Sequence, residues 1–167
     1  MQRTAAYWKD QLNLAQHPEG GAFRETYRAP LVVAQSALGN TFKGDRNAGT
    51  CIYFLLEHGE FSALHRIAAD ETWHFYDGGT LHIYEITPGG ELAHHKLGLN
   101  LAAGELPQLT IAAGSWFGAR VEDAGSFTLC GCTVAPGFDF EDFELGDRVR
   151  LSLTYPQYSG VVAALTH

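Results

Sequence analysis

Turn residues interrupt this chain about once every ten residues from position 50 onward, and this spacing limits the folds it can adopt. Between the turns lie short segments that are apolar throughout or alternate apolar with polar residues, as β-strands do. Turns such as Asp77-Gly78-Gly79 and Pro88-Gly89-Gly90 leave too little chain between them for the helices of βαβ units. The pattern therefore predicts an all-β sandwich or barrel. The predicted strands cover residues 51–57, 61–67, 71–76, 81–87, 91–97, 108–112, 115–119 and 126–134.

Short helices are predicted at both ends of the chain. Residues 4–14 have apolar side chains at helical spacing, with Thr4 as the candidate N-cap. The segment His17-Pro18-Glu19-Gly20-Gly21 ends this helix, because proline and glycine break helical structure. Residues 147–155 predict a closing helix with Asp147 as its N-cap.

Length and charge narrow the classes of function. A chain of 167 residues is expected to form one domain, spanning 1–167, with a substantial core. The net charge of −8 and the lack of Lys/Arg clusters argue against nucleic acid as a partner. No apolar stretch has the length of a membrane span, and Tyr7-Trp8-Lys9-Asp10 interrupts any run typical of a signal peptide. The three cysteines favour a reducing compartment over a disulfide framework, so we expect a cytoplasmic protein.

The stretch from Gly59 to Gly79 contains the most suggestive chemistry. His65 comes near the end of one predicted strand and Glu71 opens the next, so the short turn between them is expected to bring imidazole and carboxylate close together. Such a pair can transfer protons or ligate a metal, with the carboxylate orienting the imidazole and raising its basicity. The structural alternative is a buried pair in which each group satisfies the other.

This stretch resembles the first motif of the cupin superfamily, which runs Gly, five residues, His-x-His, three or four residues, Glu, six residues, Gly. Gly59, His65, Glu71 and Gly78 occupy the corresponding positions. Longer segments are similar to an uncharacterised cupin family found in bacteria and some eukaryotes, and the similarity covers nearly the whole chain. These segments are HPEGGAFRETYR at 17–28, HRIAADETWHFYDGG at 65–79 and GCTVAPGFDFEDFEL at 131–145.

The resemblance implies a specific all-β fold, the double-stranded β-helix or jelly-roll cupin barrel, with short N- and C-terminal helices. It also implies a small-molecule ligand held inside the barrel and a homodimer. The strand pattern independently predicts an all-β barrel. It does not by itself predict the dimer.

Two of the four usual metal-ligand positions of cupins hold apolar residues in this chain. Metal-binding cupins commonly use three histidines and one glutamate. His65 and Glu71 match two of these positions, whereas Ile67 and Phe117 occupy the others. Since two protein ligands hold a transition metal weakly, we expect no cofactor; if a metal is present, His65 and Glu71 are its ligands. His74 or a cysteine could add a ligand, although neither stands at a motif position.

Strand phase sorts the side chains that follow Glu71 into two faces. Trp73 and Phe75 share its phase and are expected to line the interior, either as a pocket wall that contacts ligand or as core packing. His74 has the opposite phase and is expected on the outer face or at an interface. A strand bulge would return it to the interior, so it remains a candidate for ligand binding.

The alternating segment 22–28 predicts a strand near the pocket or the dimer seam. Its alternation places Phe23, Glu25 and Tyr27 on one face. Glu25 is a candidate for ligand binding. Tyr27 is a candidate general acid opposite His65, with a hydrogen bond at the pocket rim as the alternative role.

Two further candidates flank the segment 112–117, which resembles the second cupin motif. These are Gln108 and Trp116, both placed to contact a ligand. Farther along, residues 138–144 interleave phenylalanines with acids. The rings are expected to pack together while the acids form a solvated face.

Three functions fit these observations. The first is a metal-independent acid–base isomerase or epimerase acting on a sugar or nucleotide-sugar. It is similar to the dTDP-4-dehydro-sugar 3,5-epimerases, cupins in which a histidine oriented by a carboxylate abstracts a proton beside a carbonyl. His65 and Glu71 would form that pair and Tyr27 would return the proton. The alternatives are a non-catalytic module that binds a sugar or nucleotide, and a weakly metal-dependent cupin enzyme.

Overall fold

The computed structural model describes residues 3–167, in which two antiparallel β-sheets face each other. The six-stranded sheet runs in the order β1 (Ala15–Gln16), β2 (Ala22–Arg28), β5 (Thr50–Glu57), β12 (Phe127–Ala135), β7 (Asp70–Gly78) and β10 (Gln108–Ile111). The five-stranded sheet runs β13 (Glu144–Leu145), β6 (Phe61–Arg66), β11 (Trp116–Val121), β8 (Leu81–Ile86) and β9 (Leu92–Leu97). A separate ribbon pairs β3 (Val32–Val33) with β4 (Arg46–Asn47).

Successive strands cross between the two sheets, which makes the fold a jelly roll. Strands β5 and β7 lie in the six-stranded sheet, whereas β6 and β8 lie in the five-stranded one. Apolar side chains dominate the faces that point inward, and a buried cluster that includes Phe54, Trp73, Ile83 and Phe117 fills much of the space between the sheets. The predicted double-stranded β-helix is confirmed.

Short helices cover the outer faces of the sheets. Helix α1 (Ala5–Gln11) packs against the six-stranded sheet, and the Thr4 hydroxyl accepts a hydrogen bond from the Tyr7 N–H at 3.2 Å, as the predicted cap requires. Helices α3 (Arg148–Thr154) and α4 (Ser159–Ala164) pack against the five-stranded sheet. No helix within 3–167 has the length and apolar character needed to cross a membrane.

The predicted strand bounds agree with the structure to within two residues at each end, and 22–28 agrees at both ends. The elements that sequence patterns missed are short. They are β1, β3, β4, β13, α2 (Gln35–Leu38), α4 and the 3₁₀ turns Leu101–Ala103, Phe140–Asp142 and Pro156–Tyr158. Strands of two residues and single helical turns contain too few residues to show a period, so pattern analysis could not find them.

Candidate functional site

A cavity of about 220 Å³ lies inside the barrel, between the two sheets. Its deepest polar groups are the side chains of His17, Glu19, His65, Glu71 and Cys132. All five are buried, with at most 8% of each residue exposed. A concentration of ionisable groups at this depth is typical of a functional site, because burying such groups is otherwise costly.

Two glycines allow the segment after β1 to enter the barrel. Gly20 has φ +111° and Gly21 has φ +74°, a backbone region that other residues rarely adopt. A Cβ on Gly20 would lie 2.0 Å from the Phe61 carbonyl oxygen, so only glycine permits this approach to β6. The approach carries His17 and Glu19 into the cavity, and the Ala63 N–H donates to the Glu19 carbonyl at 2.8 Å.

The His65 imidazole is held in one orientation by its surroundings. Its ring lies between the rings of Phe117 and Phe143, with centroid distances of 4.2 and 5.3 Å. Nδ1 lies 2.7 Å from the Ala63 carbonyl oxygen, which can only accept, so Nδ1 carries the hydrogen. Burial lowers the pKa of His65, which keeps the ring neutral and leaves Nε2 with a free lone pair.

The carboxyl group nearest to the His65 imidazole belongs to Glu19, not to Glu71 as expected. Glu19 Oε2 lies 3.1 Å from His65 Nδ1, whereas no hydrogen bond or ion pair joins His65 to Glu71 in the part of the chain described. The reason is topological. His65 is the residue before the end of β6 in one sheet and Glu71 is the second residue of β7 in the other, so their side chains come from different sheets and form no ion pair, although each affects the pKa of the other. The Ala63 carbonyl and Glu19, not Glu71, therefore orient the imidazole.

The Glu71 carboxyl has an unusual acidity. Burial raises its pKa to about 7, and the neighbouring charge of Glu19 adds to the increase, while His65 and a hydrogen bond from the Cys132 thiol act against it. Burial likewise raises the pKa of the Cys132 thiol, which stays protonated and can donate. At neutral pH the acid and the carboxylate forms of Glu71 are both present in substantial amounts.

The other two deep groups are neutral at physiological pH. Burial raises the pKa of Glu19 to about 8, against a smaller opposing effect of the Ser62 hydroxyl, which donates to Oε1 at 3.0 Å. Burial and the nearby His65 lower the pKa of His17 to about 4. The His17 Nδ1 atom accepts the Glu19 N–H at 3.2 Å, so the hydrogen of the neutral His17 ring is on Nε2.

Two hydrogen-bond acceptors in the cavity, His65 Nε2 and the Glu71 carboxyl, form no hydrogen bond to a nitrogen or oxygen of the described residues. Within residues 3–167, Trp73 Nε1 is the one fully enclosed side-chain nitrogen or oxygen that lacks a hydrogen-bond partner. His65 Nε2 and the Glu71 oxygens form no hydrogen bond to a nitrogen or oxygen of this part of the chain, yet they are not among the enclosed atoms. They are therefore accessible from the cavity, where a ligand can reach them.

An ion-paired arginine and a loop of aromatic residues form the mouth of the cavity. The Arg28 guanidinium donates to both Glu25 carboxylate oxygens at 3.0 and 2.7 Å, to Asn47 Oδ1 at 3.0 Å and to the Phe138 carbonyl at 3.1 Å. The rings of Phe138 and Phe140 pack against each other at the mouth. Arg28 thus ties the aromatic loop to β2.

The acids of the aromatic loop do not form the solvated face that we expected. The Asp142 side chain is 5% exposed and binds the buried Arg46 guanidinium through both of its oxygens, at 2.6 and 2.9 Å. Glu144 pairs with Arg66 and Arg150. These pairs fix the loop to the ribbon that contains β4 and to the five-stranded sheet.

A β-bulge removes Tyr27 from the cavity. Glu25 pairs with Ile52, and both line the cavity, but Tyr27 pairs with Cys51, one residue out of register. The extra residue, Thr26, breaks the alternation, so Tyr27 turns to the opposite face of the sheet from Glu25 and is 53% exposed. The predicted common face of Glu25 and Tyr27 is wrong, and the bulge is the reason.

The structure places His74 and Gln108 away from the cavity as well. His74 has the predicted outward phase, and its Nε2 lies 3.0 Å from Thr133 Oγ1. Gln108 lies opposite His74 in the β10–β7 pair and is exposed. Neither residue contacts the cavity, so their proposed ligand contacts have no counterpart in this geometry.

Three predicted aromatic contacts also lie elsewhere. Trp73 points inward, as its phase predicts, but packs against Phe54 and Phe117 with 1% exposure and does not reach the cavity surface. Phe75 packs against the same core. Trp116 faces outward, where the guanidinium groups of Arg66 and Arg150 lie over its ring.

The residues at the cupin metal positions do not fit a metal ion. Ile67 and Phe117, 5% and 1% exposed, are apolar residues of the core, and the Phe117 ring packs on His65. Among residues 3–167, no three His, Cys, Asp or Glu side chains converge in a way that could hold a metal ion.

Comparison with known proteins agrees with this description. Residues 6–146 match the model of a family described as "Cupin superfamily (DUF985)". A Shewanella oneidensis protein of solved structure is 43% identical with a TM-score of 0.89, over 100% of this chain and 99% of that one. A hypothetical Leishmania major protein is 34% identical with a TM-score of 0.89, over 98% and 99%. An uncharacterised Saccharomyces cerevisiae protein is 28% identical, over 91% of this chain and 81% of its own.

Proposed function

This chain belongs to the DUF985 family of the cupin superfamily, and we propose that its barrel is a metal-independent acid–base isomerase or epimerase acting on a small sugar. One observation carries the proposal. Two groups accessible from the cavity are suited to exchange protons near neutral pH: the free Nε2 of a neutral His65 and the Glu71 carboxyl, whose pKa is about 7. They lie on strands of different sheets and line the same cavity, so one substrate in the cavity can contact both.

The two groups support a balanced proton transfer. His65 Nε2 takes the proton from the carbon beside a carbonyl, and the protonated form of Glu71 donates its own proton to the substrate. An imidazolium and a carboxylate result, and transfer of the proton between them through solvent restores the starting state. Glu19 and the Ala63 carbonyl, which contact Nδ1, stabilise the positive charge that develops on the ring.

The size of the cavity and its pairing pattern favour a free sugar over a nucleotide-sugar. A volume of about 220 Å³ is below the range of about 300–1,000 Å³ that holds drug-sized ligands. Diphosphate groups need free cations, and the four hydrogen bonds of Arg28 are already made within the protein. The substrate in this proposal is therefore a monosaccharide-sized carbonyl compound.

Proton exchange with solvent tests the proposal directly. We expect the protein in D₂O to exchange the hydrogen beside the carbonyl of at least one sugar in a panel of aldoses and ketoses, followed by NMR. We expect Glu71→Gln and His65→Asn to slow this exchange by roughly 10²–10⁴-fold. Glu85→Gln is a matched control, because Glu85 is equally buried at 7% exposure but binds Ser115 and His95 outside the cavity.

Two results would contradict the proposal. One is an exchange rate equal to that of buffer across the whole panel. The other is full exchange activity in Glu71→Gln. A sugar that raises the melting temperature without any exchange would instead support the alternative, a module that binds its ligand unchanged.

A further inference from the structure

The ionisable residues that line the cavity are mostly acidic, and none of them is a lysine or arginine that is free to bind a ligand. Glu19, Glu25, Glu71 and Asp139 lie on this surface, and Arg28 is the single Lys or Arg found there among the described residues. The guanidinium is occupied by the four hydrogen bonds described above. A negatively charged ligand would therefore approach several acids without gaining a free partner.

Two of the groups in the cavity that lack a partner are hydrogen-bond acceptors, beside one donor, the Nε2–H of the neutral His17 ring. His65 Nε2 has a lone pair because the hydrogen of the neutral ring lies on Nδ1. The Glu71 oxygens accept whenever the group is ionised. Both residues are more than nine-tenths buried, at 3% and 7% exposure, and both line the cavity. A ligand that satisfies them must donate hydrogen bonds from within the cavity.

The apolar wall of the cavity also suits a positive charge. Phe23, Phe138 and Phe140 line it. The faces of aromatic rings attract cations, and the attraction is stronger where water is excluded. The faces of the same rings repel an anion.

We propose that the ligand of this cavity carries a protonated amine, which donates its N–H groups to His65 Nε2 and to Glu71 while its remaining surface contacts the phenylalanine rings. The chemical class is a monosaccharide-sized organic ammonium compound such as an aminosugar. This inference uses the same cavity as the proposed function and names the class of ligand bound there. An ammonium group on His65 Nε2 and Glu71 occupies the two groups that the proposed proton transfer needs, so the two proposals are tested separately.

The groups around the Glu71 carboxyl explain why a cation would be favoured. Three protein groups act on the Glu71 carboxyl: His65, Glu19 and Cys132. None of the three protein groups supplies a full positive charge at neutral pH, and burial accordingly raises the pKa of both Glu71 and Glu19. An ammonium group in the cavity would stabilise the ionised carboxylates. Its binding is thus expected to release protons.

A matched pair of sugars tests this inference. Glucosamine and glucose differ by an amino group in place of one hydroxyl, and both can be titrated at pH 7.0 by calorimetry, with chelator present to remove metal ions. We expect glucosamine to bind at least about tenfold more tightly, since a neighbouring opposite charge typically moves a pKa by one unit or more and the linkage is reciprocal. Repeating the titration in buffers of different ionisation enthalpy should show proton release.

Two variants test whether the preference for glucosamine arises in the cavity. Glu71→Gln should abolish the preference for glucosamine, whereas Glu85→Gln, which alters a buried acid outside the cavity, should preserve it. Equal affinities of the two sugars for the unmodified protein would overturn the inference. A preference for glucosamine that survives in Glu71→Gln would overturn it too.

This inference and the proposed function fail in different experiments. Glucosamine that binds selectively but exchanges no proton beside its carbonyl supports the cationic ligand and contradicts the isomerase. Exchange of glucose protons with no preference for the amine supports the isomerase and contradicts the cationic ligand.

Discussion

Gly20 shows how a single residue positions the chemistry of the cavity. Its φ of +111° and its contact with the Phe61 carbonyl permit the neighbouring Glu19 to reach His65. We predict that Gly20→Ala lowers the free energy of unfolding by about 2–5 kcal/mol, because a backbone contact must open and an unfavourable φ must be kept. Urea denaturation measures this change.

Gly59 provides the control for that experiment. It also has a positive φ, +92°, but nothing lies within 4 Å of the Cβ it would gain. Gly59→Ala should therefore cost only the backbone term, about 1–2 kcal/mol. Equal losses in the two variants would show that the Phe61 contact does not restrict position 20.

At the scale of residues, sequence analysis identified part of the cavity. The motif spacing selected His65 and Glu71, and alternation selected Glu25, and all three line the cavity. His17 and Glu19 were missed because Pro18 and the two glycines are also typical of a turn that ends a helix. The signal available was a histidine and a glutamate directly before a glycine pair, which permits close backbone approach.

The aromatic loop, residues 138–143, is the element on which the mouth of the cavity depends. Its Asp142 neutralises Arg46, and their side chains are 5% and 3% exposed. We predict that Asp142→Asn lowers the free energy of unfolding by about 3–5 kcal/mol, since it leaves a buried guanidinium without its buried charged partner. Chemical denaturation gives the value.

Glu141 is the matched control within the same loop. It contacts the same guanidinium at 3.2 Å, but its side chain is 63% exposed. Glu141→Gln should change stability by no more than about 1 kcal/mol, because exposed ion pairs contribute little. If both variants lose the same stability, burial of the pair is not what holds the loop.

The alternation of apolar and polar residues predicted where the strands lie better than it predicted which side chains point inward. Strand β2 has the predicted bounds, yet the bulge at Thr26 reverses the orientation of Tyr27. A bulge adds one residue without changing the composition of a strand, so a period-2 pattern gives no sign of it. For Trp116 the phase relative to Phe117 was observable, and it shows that the two residues cannot share the interior.

For the whole molecule, four buried groups in one cavity make a large contribution to the dependence of stability on pH. The carboxyls of Glu19 and Glu71 have folded pKa values of about 8 and about 7 against 4.5, so their protonated forms persist in the native state and they destabilise it as pH rises. His17, with a folded pKa of about 4 against 6.5, and His65 have the opposite sign, since the unfolded chain binds their protons below 6.5. The two effects offset each other below pH 6.5, and only the carboxyls titrate above it.

We therefore predict that the free energy of unfolding falls by about 2 kcal/mol between pH 6.5 and pH 8. Glu19→Gln should flatten this slope, since an amide can accept from the His65 N–H and donate to the Ser62 hydroxyl without titrating. Denaturation at several pH values gives the slope. The exposed Glu91→Gln serves as the control, and an unchanged slope in Glu19→Gln would assign the pH dependence to other groups.

The overall architecture was easier to predict from the sequence than the orientation of individual side chains. Regular turns and short apolar segments predicted an all-β barrel, because period and spacing follow from strand geometry alone. Which side chains meet across the cavity depends on how the two sheets face each other. That arrangement is set by the connections between the sheets, and no local sequence pattern predicts it. The homodimer implied by the resemblance stays a prediction.

The cavity is assembled from pieces that are far apart along the chain. Its walls come from residues 17–28, 50–52, 65–71 and 132–140. Bringing such distant pieces together costs loop-closure entropy, and β-barrels dominated by non-local pairings accordingly fold in milliseconds to seconds. A nascent chain released only as far as residue 130 would have most of its strands but would still lack Cys132 and the aromatic loop. The pocket can therefore form only after residue 140 has been synthesised, and a ligand that binds it stabilises only chains that extend past this point.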